Sequence, residues 1–201
     1  MLSMFSWLTS LFRKEPDFRV RILIVCRANI TRSPFIEGLL RKRIGDRYPG
    51  ALEDIGLSSA GAQGFQRAAA DPVMRFLAQN YDVDLLPHSS KAVTAKLVRQ
   101  ATWIFTLEES IARQIEARFG DSGGKVFPLL KFGNSDVERT DWDVEDPTGL
   151  DAEAYEVFAE QANQEVDRIL SVLEGELLGS RSNLVLIGNP GVGKSTLGRQ
   201  L

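Results

Sequence analysis

The chain has a single cysteine, Cys26, and a single histidine, His88, among its 201 residues. One cysteine excludes an internal disulfide and a cysteine-rich metal cluster, and fits a reducing compartment. With only one histidine beside it, no zinc site of the usual donor set is expected, so neither a metal nor any other cofactor is assigned. No apolar run is long enough to span a bilayer, and the N-terminus has neither the basic start nor the small-residue cleavage site of a secretory signal. The net charge is −3, which gives no reason to expect a nucleic-acid partner. What is there is ordinary for a globular protein: 43% hydrophobic and 25% charged residues, enough for one good core and something extra.

The stretch Val20–Leu40, VRILIVCRANITRSPFIEGLL, organises the rest. Val20 and the unbroken run Ile22–Val25 are rich in β-branched residues, as expected of a strand buried on both faces of a parallel sheet. Ser33-Pro34 reads as a helix start, with Ser33 as cap and Pro34 at the first helical position, and Ile36, Leu39, Leu40 and Ile44 follow at helical spacing. Between strand and helix a short loop runs from Cys26 to Arg32. Its backbone amides and the positive end of the helix dipole converge where an anion would sit and where a cysteine would give up its proton most easily. Five residues between a cysteine and an arginine suit phosphoryl transfer to sulfur. The thiolate is the nucleophile, and the guanidinium fork binds two phosphate oxygens. Ser33 could donate to the thiolate and Asn29 could brace the loop through bonds to the backbone. On the cysteine and arginine alone, a buried structural cysteine and an ordinary surface arginine are the simpler explanation. The strand before, the helix start after, and Asn29 within favour the catalytic reading.

The run Cys26-Arg27-Ala28-Asn29-Ile30-Thr31-Arg32-Ser33-Pro34 resembles the signature of the low-molecular-weight protein tyrosine phosphatases. The resemblance extends from about residue 19 to about residue 178 and includes Ser59-Ala60-Gly61 and Asp146-Pro147. It implies an α/β fold, a four-stranded parallel sheet with helices on both faces in a Rossmann-like three-layer arrangement with right-handed crossovers. It also implies hydrolysis of phosphotyrosine in protein substrates through a cysteinyl-phosphate intermediate, without metal. Carried over residue by residue, Cys26 is the nucleophile, Arg32 binds the phosphate and its transition state, and Asp146 is the general acid and base. Asn29, Ser33 and Phe65 belong to the substrate-binding surroundings. Phe65 is the candidate wall of the slot for the phenyl ring, or else a loop aromatic packed on the core edge. In the family a histidine at the place of His88 belongs to a hydrogen-bond network under the active loop.

Two departures stand out. Thr31 replaces a second cysteine that can trap the nucleophile in a disulfide, so oxidation of Cys26 is expected to run toward sulfenic and higher acids. Thr148 replaces the aromatic that usually forms the other wall of the slot, which weakens the case for phosphotyrosine, and Arg27 at the rim adds to that. A small-molecule aryl phosphomonoesterase and a non-catalytic phosphotyrosine-binding module, linked to a nucleotide-dependent partner, are the alternatives.

Along the chain, Ile55–Gly61 reads as a second strand, Asp71-Pro72 as the start of a helix burying Val73, Phe76 and Leu77, and Thr94 as the cap of a short helix. Thr102–Leu107 and Val126–Leu130 read as the third and fourth strands, separated by a helix over Glu108–Phe119 that Gly120 ends. Arg41-Lys42-Arg43 reads as a solvated helix face. The long loop Lys131–Leu150 carries Asp136, Glu138, Asp141, Asp143, Glu145 and Asp146, and its length suggests function. Asp146 is favoured as the acid because Pro147 stiffens the loop, with Glu145 and Asp143 as fallbacks. A last helix from Asp151 to about Leu178 has a stripe of Tyr155, Phe158, Ala162, Val166, Ile169, Leu173 and Leu177.

Both ends stand apart. Residues 1–18 form an amphipathic extension. Met1, Met4, Phe5, Leu8, Leu11 and Phe12 share one helical face, which fits either contact of residues 1–14 with a membrane surface or partner, or an extension folded back on the domain. The expected location is cytoplasmic, either free or peripheral to a membrane. Residues 179–201 contain Gly188-Asn189-Pro190-Gly191-Val192-Gly193-Lys194-Ser195, which fits the Walker A pattern after a strand-like NLVLIG. A nucleotide-hydrolysing domain needs on the order of 100 further residues. Residues 188–195 are therefore read as the start of an incomplete second domain or as a remnant, and nucleotide binding there is not expected of this chain.

Overall fold

The computed structural model describes residues 17–64, 67–120, 123–134, 136 and 138–178. Residues 1–14, Phe65 and the Walker A-like segment 188–195 lie outside them.

The elements follow in the order β1 (Val20–Cys26), α1 (Arg32–Arg47), β2 (Ile55–Gly61), α2 (Pro72–Ala78), α3 (Ala95–Gln100), β3 (Trp103–Thr106), α4 (Glu109–Phe119), β4 (Val126–Pro128) and α5 (Ala152–Leu178). The strands form one four-stranded sheet in the order β2-β1-β3-β4, with every pair parallel. Side chains alternate across β1, and both faces are covered. Val20, Ile22, Ile24 and Cys26 enter a core shared with α1, α2 and α5. Leu23 and Val25 enter a second core with Val98 of α3 and Ile111 and Ile115 of α4. That double burial is why β1 is an unbroken apolar run. The result is the three-layer α/β arrangement that the resemblance implied.

Helix α5 buries every residue of its expected stripe, with Ala159 and Leu170 added. Of the basic run on α1 only Arg41 is exposed, while Lys42 and Arg43 are half-buried; Arg41 pairs with Glu37, Lys42 with Asp46, and Arg43, like the nearby Arg47, with Asp167 of α5. Asp71 caps α2, its side chain accepting from the Met74 amide at 3.0 Å with Pro72 in the first turn.

Four readings need correction. Helix α1 starts at Arg32 with Thr31 at the cap position, so Ser33 and Pro34 are its second and third residues. Pro34 is tolerated there because the first four amides of a helix have no intrahelical acceptor in any case. Helix α2 buries Met74 and Ala78, whereas Val73 is 45% and Phe76 75% exposed. Strand β4 ends at Pro128 on the sheet edge, and the buried Leu129 and Leu130 lie in the turn beyond, although the Leu129 amide still donates to the Thr106 carbonyl at 2.8 Å. Strand β3 spans only Trp103–Thr106, and the Leu107 amide makes the last rung to β1, donating to the Val25 carbonyl at 3.0 Å. Among the described residues no helix is long and apolar enough to cross a membrane.

Candidate active site

The site lies where the sheet order places the carboxyl ends of β1 and β3 side by side, the usual ligand crevice of an open α/β sheet. From the end of β1 the chain turns through Arg27–Thr31 into α1. Asn29 sits in the left-handed region at φ 60°, a conformation that asparagine tolerates better than most residues. The turn brings the Asn29 amide to 3.2 Å from Cys26 Sγ, and the Ser33 hydroxyl to 3.0 Å from the same sulfur.

Asn29 is fully occupied. Its amide nitrogen donates to Ser33 Oγ at 3.0 Å and to Ser59 Oγ at 2.8 Å, and its side-chain oxygen accepts from the Lys91 amide at 2.9 Å. Its carbonyl lies 2.8 Å from His88 Nε2. Ser59 passes its own hydrogen to Glu37 Oε2 at 2.8 Å. Because Asn29 already donates to Ser33, the Ser33 hydrogen is left to point at the sulfur. Gly61, paired with Cys26 at the end of β2, lets this loop close down. A Cβ there would lie 2.8 Å from the Ala28 carbonyl carbon and 3.0 Å from the Arg27 oxygen.

Arg32 is buried, with 2% of its side chain exposed, and its guanidinium spans three partners. Nη1 donates to the Val144 carbonyl at 2.8 Å, and Nη2 donates to Glu108 Oε1 at 2.8 Å and to Asp146 Oδ2 at 2.6 Å. The other Glu108 oxygen accepts from Arg27 Nη2 at 2.9 Å and from the Ser110 hydroxyl at 3.2 Å. Burial is the largest single influence on Glu108 and pushes its carboxyl upward, but the bonds and charges of Arg27 and Arg32 together outweigh it and hold it below the usual range. Arg27 in turn is raised, chiefly by its hydrogen bond to Glu108.

The long acidic loop is anchored by its apolar residues. Trp142 and Val144 are buried, and the Val144 amide donates to the Leu107 carbonyl at 2.8 Å. This leaves the intervening acids outside. Asp143 accepts from the Glu109 amide at 2.6 Å and so caps α4, while Glu145 is exposed. Of the three acids considered for proton transfer, only Asp146 meets Arg32. The structure therefore brings Cys26, Asn29, Arg32, Ser33 and Asp146 into one site. Glu108 escaped sequence reading. Its one signal was a pair of acids, Glu108-Glu109, at the end of an apolar strand. Among the described residues no three of His, Cys, Asp and Glu are grouped to hold a metal ion.

Residues 21–178 match the family model for low molecular weight phosphotyrosine protein phosphatase. The chain belongs to that family. Among curated relatives it is 33% identical over 153 residues to the low molecular weight protein-tyrosine-phosphatase Etp of Escherichia coli K12, covering 75% of this chain and 94% of Etp. It is 30% identical over 135 residues to the probable low molecular weight protein-tyrosine-phosphatase EpsP of Ralstonia solanacearum, covering 67% of this chain and 83% of EpsP. Among solved structures it superposes on the YwlE arginine phosphatase of Geobacillus stearothermophilus with a TM-score of 0.68 at 25% identity, covering 83% of this chain and 99% of YwlE. The family is cysteine-based and independent of metal.

Proposed function

We propose that this member of the family hydrolyses phosphotyrosine in proteins, with Cys26 as nucleophile, Arg32 as phosphate ligand and Asp146 as general acid and base. The observation that carries the reading is the 2.6 Å contact between Arg32 and Asp146, 114 residues apart in sequence, beside a sulfur that accepts an amide hydrogen bond. An acid, a phosphate-binding fork and a nucleophile then face one reacting centre.

In the first step Cys26 Sγ attacks phosphorus. The sulfur–phosphorus bond forms, the bond to the phenolic oxygen breaks, and the Asp146 carboxyl passes its proton to that oxygen. In the second step water attacks phosphorus, Asp146 takes the proton back, and the thiolate leaves with inorganic phosphate as the other product. Arg32 and the amides at the start of α1 hold the equatorial oxygens throughout. The ion pair between Arg32 and Asp146 opens when a phosphate dianion claims Arg32. Asp146 Oδ2 is then released from Arg32 and faces the leaving oxygen.

The test is hydrolysis of a phosphotyrosine peptide and a phosphoarginine peptide in EDTA, wild type beside Cys26→Ser. Turnover of the phosphotyrosine peptide that vanishes in the variant is expected. Preference for the phosphoarginine peptide would overturn the substrate, and tight phosphopeptide binding without turnover would overturn the enzyme.

A further inference from the structure

Thr31 and Thr148, the two positions at which the sequence departs from the family pattern, meet in space. Their hydroxyl oxygens lie 2.9 Å apart across 117 residues of chain. The Thr148 hydroxyl donates to Asp146 Oδ1 at 2.7 Å, and the Thr148 amide reaches the same oxygen at 3.2 Å. A hydroxyl has one hydrogen, and that of Thr148 is directed at Asp146, so the hydrogen between the two threonines is that of Thr31. The chain of donors runs one way, from Thr31 to Thr148 to Asp146 Oδ1. The other carboxyl oxygen, Oδ2, is the one against Arg32.

The two threonines belong to different parts of the site. Thr31 is buried and stands at the cap position of α1, in the loop that begins at Cys26. Its hydroxyl makes no capping bond to the helix amides. Thr148 is exposed and lies in the acid loop with Asp146. Two kinds of contact thus tie Asp146 to the phosphate loop: the ion pair to Arg32 and the threonine pair. The proposed reaction gives up the first, because a phosphate takes Arg32. The second survives substrate binding.

We propose that Thr31 and Thr148 are positioning residues that hold Asp146 Oδ1 while Arg32 is engaged by phosphate, leaving Oδ2 toward the leaving oxygen. The proposal rests on Asp146 as the general acid of the preceding reading.

The test compares phenyl phosphate, whose leaving group needs a proton, with an aryl phosphate of a much more acidic phenol. Thr148→Val is expected to lower kcat on phenyl phosphate about tenfold, as for loss of a hydrogen bond to a charged group. KM should stay unchanged and the acidic phenol should be affected less. Thr148→Ser restores kcat, Thr31→Val reproduces the loss, and the double valine variant is no worse than Thr148→Val. Equal losses on both substrates, no loss, or failure of Thr148→Ser to restore kcat would overturn the proposal. Asp146→Asn is run in the same series. If it leaves phenyl phosphate turnover intact, the acid assignment falls and the proposal with it. If it lowers turnover and Thr148→Val does not, only the proposal falls.

Discussion

The loop that carries Cys26 and the loop that carries Asp146 meet at Arg32, and they are fastened by different kinds of bond. Around Cys26 the fastenings are neutral and buried or half-buried: Asn29 with Ser33, Ser59, His88 and the Lys91 amide. Around Asp146 they are an ion pair and the hydroxyl of the exposed Thr148. Buried neutral networks with every donor used are stiff, because opening any one bond leaves a desolvated polar group behind. A carboxylate on a guanidinium can be exchanged for a better anion at little loss. The Cys26 side is built to stay still, and the Asp146 side to let go.

Three substitutions probe that contrast, from the largest expected effect to the smallest. Asp146→Asn removes the proposed proton donor on the releasable side. Turnover of phenyl phosphate should fall by about 10² to 10⁴-fold, with thermal stability nearly unchanged. A loss of that size accompanied by a large fall in Tm would mean that this loop is as structural as its neighbour. Asn29→Ala strikes the stiff side. It leaves the Ser33, Ser59 and Lys91 groups without their partner and removes a residue suited to φ 60°. Each buried group left unsatisfied costs about 1–3 kcal/mol, so the melting temperature should drop by several degrees, at about 2–4 °C per kcal/mol for a chain of this size. Turnover should fall with it. An unchanged Tm would erase the distinction between the two loops.

Glu108→Gln gives the smallest effect and is read through pH. Glu108 is held low by Arg27 and Arg32 in the folded chain. A carboxyl lowered on folding contributes stability that is fully present above its unfolded value near pH ~4.3, and that is lost as pH falls through the folded value. The difference in Tm between wild type and Glu108→Gln should therefore be present at about pH 6 and shrink toward about pH 3. A difference that stays constant with pH would show that Glu108 acts through packing.

The parts of the molecule legible in sequence are those whose reason is local. Val20–Val25 announces a strand buried on both faces, and the stripe from Tyr155 to Leu177 announces one long helix. Cys26, Asn29 and Arg32 lie within one turn of chain, so their spacing already carries their geometry. Asp146 was legible only through Pro147 and the family resemblance. What was not legible depends on which strands become neighbours. Glu108 meets Arg32 across 76 residues because β3 lies beside β1 in the sheet, and no local pattern states that order. Thr31 and Thr148 were legible as departures, but their meeting was not. Helix α2 failed for another reason. With 7 residues it is too short for its apolar positions to define one face, and Val73 and Phe76 imitate a stripe that faces solvent.

The contact between Arg32 and Asp146 also bears on how the reaction ends. In the proposed cycle the departing product is inorganic phosphate, and the seat it vacates is claimed at once by a carboxylate of the same molecule. Asp146 is thus a tethered competitor of the product, and the free enzyme screens its own anion site. In that cycle the contact opposes rebinding of the product and weakens the hold on any bare phosphate or sulfate in solution.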